Sequence, residues 1–310
     1  KTIIINGFFI IKQNLIFSFI IMLLSACEPQ PADKALRYSA SPSNNAIVTY
    51  RFAIHPLHNP QKLFESYQPL VNYINKKIPD IYIELEASRD YPTYEKKLRA
   101  REPDLLLPNP WQTLKAMENG YRVIAMAGDA EDFKGIFIAR KDNNIKKPIE
   151  LKGKRVSYPA PTALAAAIMP QYFLHSNGID INSDIDNIYV GSQESSIMNV
   201  YLGNVTVGAT WPPPWRLFQT DHPEQAKQLK VIWQTPSLIN NSVMVRDDFP
   251  ETVSHKIQDL LVTLSDSPEG KIIINGMETA RFTTAKDSDY DIVRAYIKNF
   301  EEKVRPVENN

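Results

Sequence analysis

Leu151-Lys152-Gly153-Lys154-Arg155-Val156-Ser157-Tyr158-Pro159-Ala160-Pro161-Thr162-Ala163-Leu164-Ala165-Ala166-Ala167-Ile168-Met169 reads as a strand, a hydroxyl-bearing turn and a helix in immediate succession. β-branched and aromatic residues after the Gly153 turn favour an extended segment ending near Tyr158. Pro159 and Pro161 forbid a helix before Thr162, which is the expected N-cap, and the alanine-rich run behind it is strongly helix-forming. The unpaired N–H groups at such a start, with the helix dipole behind them, suit an anion. Most strand-to-helix turns bind nothing, so this one marks an α/β protein before it marks a site.

Outward from that turn the same alternation continues in both directions. Upstream, Ile47–Ile54, Ile81–Leu85, Asp104–Leu107, Tyr121–Ala127 and Gly135–Arg140 read as strands. Between them, Leu63, Tyr67, Leu70, Val71, Ile74 and Ile78 recur at helical spacing, and Pro110-Trp111 opens another helix. Downstream, Asn187–Val190, Val205–Thr210, Leu229–Trp233 and Ser242–Val245 are strand-like, and Ser195–Leu202, Glu251–Leu264, Pro268–Ile274 and Tyr290–Val304 are helical. Trp211-Pro212-Pro213-Pro214-Trp215 reads as a rigid proline turn whose first tryptophan directly follows a strand end, where α/β clefts form. Strands separated by helices predict largely parallel sheets covered on both faces.

The N-terminal segment is of a different kind. An apolar run from Leu15 to Leu24, too short for a confident membrane span, ends at Leu24-Ser25-Ala26-Cys27, which resembles a bacterial lipobox. Residues 1–26 are therefore expected to be a lipoprotein signal peptide, Cys27 the lipidation site, and 27–45 a flexible tether rich in Pro, Ser, Ala and Asn. Cys27 is the sole cysteine, so no disulfide forms within the chain. Removing residues 1–26 takes away Lys1 and Lys12 and no acid, leaving 33 basic against 35 acidic side chains. Near-neutrality excludes the basic surface that nucleic acid requires. No metal-ligand spacing, phosphate-cradling glycine loop, nucleophile elbow or cofactor motif is present, so neither a metal nor a cofactor is expected, and the chain is not expected to be an enzyme.

Several short motifs in order carry a family resemblance: Tyr67-Gln68-Pro69-Leu70, Asp90-Tyr91, Asn109-Pro110, Leu151–Val156, Gly191-Ser192-Gln193-Glu194, Asp266–Lys271 and Asp289-Tyr290-Asp291. Together they make the chain from Tyr50 to about Val304 resemble the phosphate/phosphite/phosphonate substrate-binding proteins of ATP-binding-cassette importers, with the type II periplasmic binding-protein fold. The resemblance implies two α/β lobes, each a mainly parallel sheet flanked by helices, with 46–139 and 241–305 in lobe 1 and 140–240 in lobe 2. The hinge crossings are expected near Arg140–Asn144 and Thr235–Asn241.

By the same resemblance Tyr91, Asn109 and Trp111 face a ligand cleft from lobe 1, and Thr162, Gln193 and Glu194 from lobe 2; Trp211, directly after a strand end, and Ala163, with a backbone N–H in the Thr162 turn, are candidates from their own positions. His55 is a secondary candidate, and His58 reads as a surface-loop histidine. The implied function is a membrane-tethered, extracytoplasmic solute receptor serving an importer permease, or alternatively a sensing module for a membrane kinase or cyclase. Two departures bear on the ligand. The family's hydroxyl-rich turn is reduced to Pro161-Thr162-Ala163-Leu164, and its His-Asp pair to Gln193-Glu194. The expected ligand therefore has an anionic or strongly polar end at the Thr162 turn and an apolar or cationic body against Trp211 and Tyr91.

Overall fold

The alternating strands and helices close into two separate sheets joined by two crossings. A computed structural model describes residues 47–308, so the expected signal peptide, Cys27 and tether lie outside the described residues. The first sheet contains β1 (Val48–Ile54), β2 (Ile81–Glu86), β3 (Leu105–Leu107), β4 (Tyr121–Ala127), β10 (Asn241–Arg246) and β11 (Phe282–Thr284), in the order β11-β4-β10-β3-β1-β2. The second contains β5 (Ile136–Arg140), β6 (Arg155–Tyr158), β7 (Asp186–Tyr189), β8 (Val207–Thr210) and β9 (Leu229–Gln234), in the order β7-β6-β8-β5-β9. Each sheet has a parallel trio, β2-β1-β3 and β7-β6-β8.

Beside each trio sits a reversed strand. β5 runs antiparallel to β8, and β10 antiparallel to β3. Both are the first strand after a crossing. A chain that leaves one sheet at the cleft edge enters the other from the same edge, so its next strand must run away from the cleft, opposite to its neighbours. The sheets are thus mixed, with their parallel parts where strand and helix alternate and the reversed strands β5 and β10 where the chain changes lobe; β11, antiparallel to β4, adds a further reversed strand at the edge of the first sheet.

The first crossing is Gly128–Gly135, earlier than the expected Arg140–Asn144. Ile136–Arg140 is hydrogen-bonded between β8 and β9 inside the second sheet, and the Arg140 side chain pairs with Asp142 at 2.9 Å. The signals are glycines rather than polar residues. Gly128 has φ 91°, and a Cβ on Gly135 would meet the Ala165 carbonyl oxygen at 2.7 Å. The second crossing, 235–240, is laced to the first. Thr235 N donates to Gly135 O at 2.9 Å, Leu238 N to Phe133 O at 2.9 Å and Asn240 Nδ2 to Asp129 O at 2.8 Å.

Helices cover both sheets. α1 (Pro60–Lys77), capped by Asn59, buries Leu63, Tyr67, Leu70, Val71 and Ile74, the spacing visible in the sequence. α2 (Tyr91–Arg99) and α3 (Pro110–Glu118) follow β2 and β3. Behind β6 the chain first makes a π-helical segment, Leu164–Ile168, then α4 (Met169–Ser176). Pro170 explains the wide turn: it has no N–H to give Ala166, and the bonds around it reach back five residues, Ile168 N to Ala163 O and Met169 N to Leu164 O. α5 (Gln193–Tyr201) follows β7.

Trp211-Pro212-Pro213-Pro214-Trp215 is not a proline turn but the start of a helix, α6 (Pro212–Asp221), with Trp211 as N-cap. Prolines are tolerated there because the N–H groups they lack would have no intrahelical acceptor in the first turn. A one-turn helix, α7 (Pro223–Ala226), and the C-terminal helices α8 (Glu251–Val262), α9 (Pro268–Gly276) and α10 (Asp291–Lys303) complete the described chain. No helix among the described residues is long and apolar enough to cross a membrane.

Candidate ligand cleft

The carboxyl ends of the parallel strands in both sheets face one another across a small cavity. It is lined by His55 after β1, Tyr91 and Asn109 at the starts of α2 and α3, Phe133 from the first crossing and Asn241 at the start of β10. The second lobe contributes Ala163, Leu164, Ala165 and Ala166 after β6, Gln193 after β7 and Trp211 after β8. About 10 Å³ is open to the centre of a water molecule, room for roughly one water, so the lobes are drawn together.

Polar contacts across the cleft hold that arrangement. Thr162 Oγ1 donates to Glu95 Oε1 at 2.6 Å, Asn109 Nδ2 to Thr162 O at 3.2 Å and Gln193 Nε2 to Tyr91 Oη at 3.3 Å. Beyond the cavity, Asn59 Nδ2 donates to Glu194 Oε2 at 3.1 Å, Lys62 pairs with Asp221 at 2.8 Å, and Arg305 donates to Gln171 Oε1 and Pro161 O, both at 2.9 Å.

Five helix starts meet here, and they differ in what they offer a ligand. The start of α2 is capped by Asp90, whose carboxylate accepts from Thr93 N at 2.8 Å. That of α3 carries a complete capping box: Asn109 Oδ1 accepts from Gln112 N at 3.0 Å and Gln112 Oε1 from Asn109 N at 3.1 Å. Ser192 caps α5 through Ser195 N. At α6 three consecutive prolines remove the donors, and the next N–H, that of Trp215, already bonds Trp211 O. The segment at Leu164 has no side-chain cap. Leu164, Ala165 and Ala166 precede its first backbone bond, from Ala167 N to Ala163 O at 2.7 Å, and all three line the cavity.

Several expected site residues do other work. Thr162 neither caps the helix nor lines the cavity, because its hydroxyl is taken by Glu95, buried on α2 and also bonded to Gln112 Nε2 at 3.0 Å. Burial raises the Glu95 pKa, and the hydrogen bonds from Thr162 and Gln112 oppose that rise. Trp111 is buried away from the cleft, beside Leu114 and Ile297, with Lys115 over its ring at 5.8 Å. Glu194 stands outside the cavity and accepts from Asn59 and from His222 Nε2 at 3.1 Å. His58 is buried rather than on a surface loop, and burial, with His55 and Lys62 nearby, pushes its pKa down to about 3.

Tyr91, Asn109, Ala163, Gln193 and Trp211 are brought together with the secondary candidate His55, and Phe133, Leu164, Ala165, Ala166 and Asn241 are added. Gln193 is fixed from both ends, accepting from Thr210 Oγ1 at 2.9 Å while donating to Tyr91. Trp211 packs on Phe133 with ring centroids 5.6 Å apart. Phe133 belongs to the first crossing and Asn241 opens β10 directly after the second, where sequence pattern carries no sign of a side chain's tertiary destination.

The model of one family, described as "ABC transporter, phosphonate, periplasmic substrate-binding protein", matches residues 52–290. The chain belongs to this family. It is a substrate-binding protein of an ATP-binding-cassette transporter, not an enzyme, and its class is extracytoplasmic. A curated relative, the phosphonates-binding periplasmic protein of Escherichia coli, is 23% identical over 76% of this chain and 72% of its own length.

Among solved structures, a binding component of a Pseudomonas aeruginosa ABC phosphonate transporter superposes with a TM-score of 0.77 at 17% identity, covering 83% of this chain and 88% of that one. PhnD1 of Prochlorococcus marinus, solved with methylphosphonate, superposes with a TM-score of 0.74 at 19% identity, covering 82% and 98%. Both share the binding protein's two-lobed fold. Among its described residues, no cluster of three or more His, Cys, Asp or Glu side chains is placed to hold a metal ion.

Proposed function

We propose that this binding protein captures a small phosphorus oxyanion of the phosphonate type between its lobes and delivers it to the importer's membrane subunits, tethered to the membrane through lipid on Cys27. The observation that carries the ligand reading is the uncapped helix start at Leu164–Ala166, the cavity-lining start that keeps its backbone donors free of side-chain caps. Those donors do not depend on the hydroxyls missing from the turn. Thr162 is committed to Glu95, so the anionic end belongs on the backbone beyond it. Trp211, Phe133 and Tyr91 supply apolar surface for a short organic substituent. The methylphosphonate held by PhnD1 has this combination of a charged tetrahedral end and a methyl group.

Calorimetric titration tests the ligand. Methylphosphonate is expected to bind one per chain and more tightly than inorganic phosphate; saturating heat from phosphate alone, with none from methylphosphonate, would exclude the organic subsite. The tether is tested by feeding cells a labelled fatty acid. Wild-type protein should take up label and Cys27→Ser should not, whereas equal labelling of both would place the anchor elsewhere.

A further inference from the structure

We propose that the cleft selects an oxyanion in its singly charged, proton-bearing form, with the ligand's own hydroxyl donating to Asn241 Oδ1 or His55 Nε2 while its unprotonated oxygens take the N–H groups of Leu164–Ala166. This rests on the reading of the cavity as the ligand site and adds which ionic form enters it.

The first support is a pair of acceptors that no protein donor satisfies, beside the donors that the Tyr91 hydroxyl and the Trp211 indole also bring to the lining. Asn241 is 4% exposed, lines the cavity, and its Oδ1 is buried with no hydrogen-bond partner. A buried acceptor left so costs about 1–3 kcal/mol, which a donor on the ligand would recover. His55 is 3% exposed, and its Nδ1 lies 2.9 Å from Leu107 O. A carbonyl only accepts, so Nδ1 carries the hydrogen, and in the neutral ring Nε2 is the acceptor offered to the cavity. Burial holds the ring neutral, pushing its pKa down to about 4, with the bond to Leu107 acting the other way. The titratable groups packed around His55 are the Tyr91 ring, with its centroid 6.2 Å away, and His58, itself kept neutral by burial.

The second support is the absence of counter-charge from the lining. The cavity wall contains no lysine, arginine or carboxylate, and its one histidine is the neutral His55. The cost of desolvating an ion grows with the square of its charge, so a dianion would pay about four times the penalty of a monoanion, with only backbone dipoles and neutral side chains in return. One negative charge matches the partial positive charge of a single helix start far better than two.

The test uses the full chain and two tetrahedral ligands of similar size, methylphosphonate and methanesulfonate, which is a monoanion with no proton to give. Calorimetry at a series of pH values should show methylphosphonate affinity falling tenfold per pH unit above the ligand's second ionisation, because only the protonated fraction binds. Methanesulfonate should bind at least tenfold more weakly than methylphosphonate at pH 6, and its affinity should not change with pH. Asn241→Leu and His55→Phe should lower methylphosphonate affinity without lowering that of methanesulfonate, which loses an acceptor it cannot satisfy, so that the ratio between them collapses. Methylphosphonate affinity that is flat or rises with pH, or equal affinity for the two ligands, overturns the selection. If a variant does not fold, the wild-type pH series decides alone. Failure of both ligands to bind wild-type protein would instead refute the reading of the cavity.

Discussion

Two helix starts in the same lobe face the same cavity and make opposite surfaces. After β6, the chain turns through Pro161 into Leu164, Ala165 and Ala166, which line the cavity and whose backbone donors no side chain caps. After β8, it turns through Trp211 into three prolines, which have no donors, and presents an indole. Neither start has a side-chain cap, so the difference lies in which backbone groups the residues retain. One wall is an electrostatic subsite made of main chain, and the other an apolar subsite made of side chain. The lesson is that the presence of a helix N-terminus says little by itself. What it offers depends on whether its first N–H groups exist and whether a cap has already used them.

Removing a donor from the first wall should have the largest effect on binding. Leu164→Pro deletes one N–H, and the extended Ala163 before it, at φ −73° and ψ 97°, already suits a residue preceding proline. A hydrogen bond to a charged group contributes about 1.5–3 kcal/mol, so methylphosphonate affinity should fall roughly 10- to 150-fold. Thermal melting must accompany the titration, since the buried Leu164 side chain is lost as well. Unchanged affinity would remove this wall from the site.

A smaller effect on binding is expected from Thr162→Ala, although it falls in the hydroxyl-bearing turn itself. Because the hydroxyl serves Glu95, affinity should stay within about threefold while stability drops by roughly 1.5–3 kcal/mol, the carboxylate having lost a donor. A large loss of affinity with no change in melting would return Thr162 to the ligand. The smallest effect belongs to Pro213→Ala. It restores one N–H to the apolar wall, and affinity should move by no more than about twofold; a clear gain in anion binding would show that the prolines, rather than the indole, define that wall.

Much of this could be read from the chain. Tyr121–Ala127 is a strand at the expected limits, the α1 stripe is buried as its spacing required, and the β6 turn reaches the cavity. What escaped was tertiary or depended on position within a helix. Glu95 claims the Thr162 hydroxyl from 67 residues away, across the cleft. Trp111, near the start of α3, is turned from the cavity that Asn109, two residues earlier, helps to line. Three prolines suggest a turn unless they are set in a first helical turn, where their missing donors matter least. Gly135, whose contact with Ala165 O leaves no room for a side chain, marks the crossing better than the polar residues after it.

The most direct test is to follow backbone amide resonances by ¹H–¹⁵N correlation spectroscopy while methylphosphonate is added. The amide protons of Leu164, Ala165 and Ala166 should shift most, all downfield as they acquire a charged acceptor, and saturate together at one ligand per chain. Saturable binding that leaves those three amides in place, with the largest shifts at the capped starts of α3 or α5, would contradict that expectation.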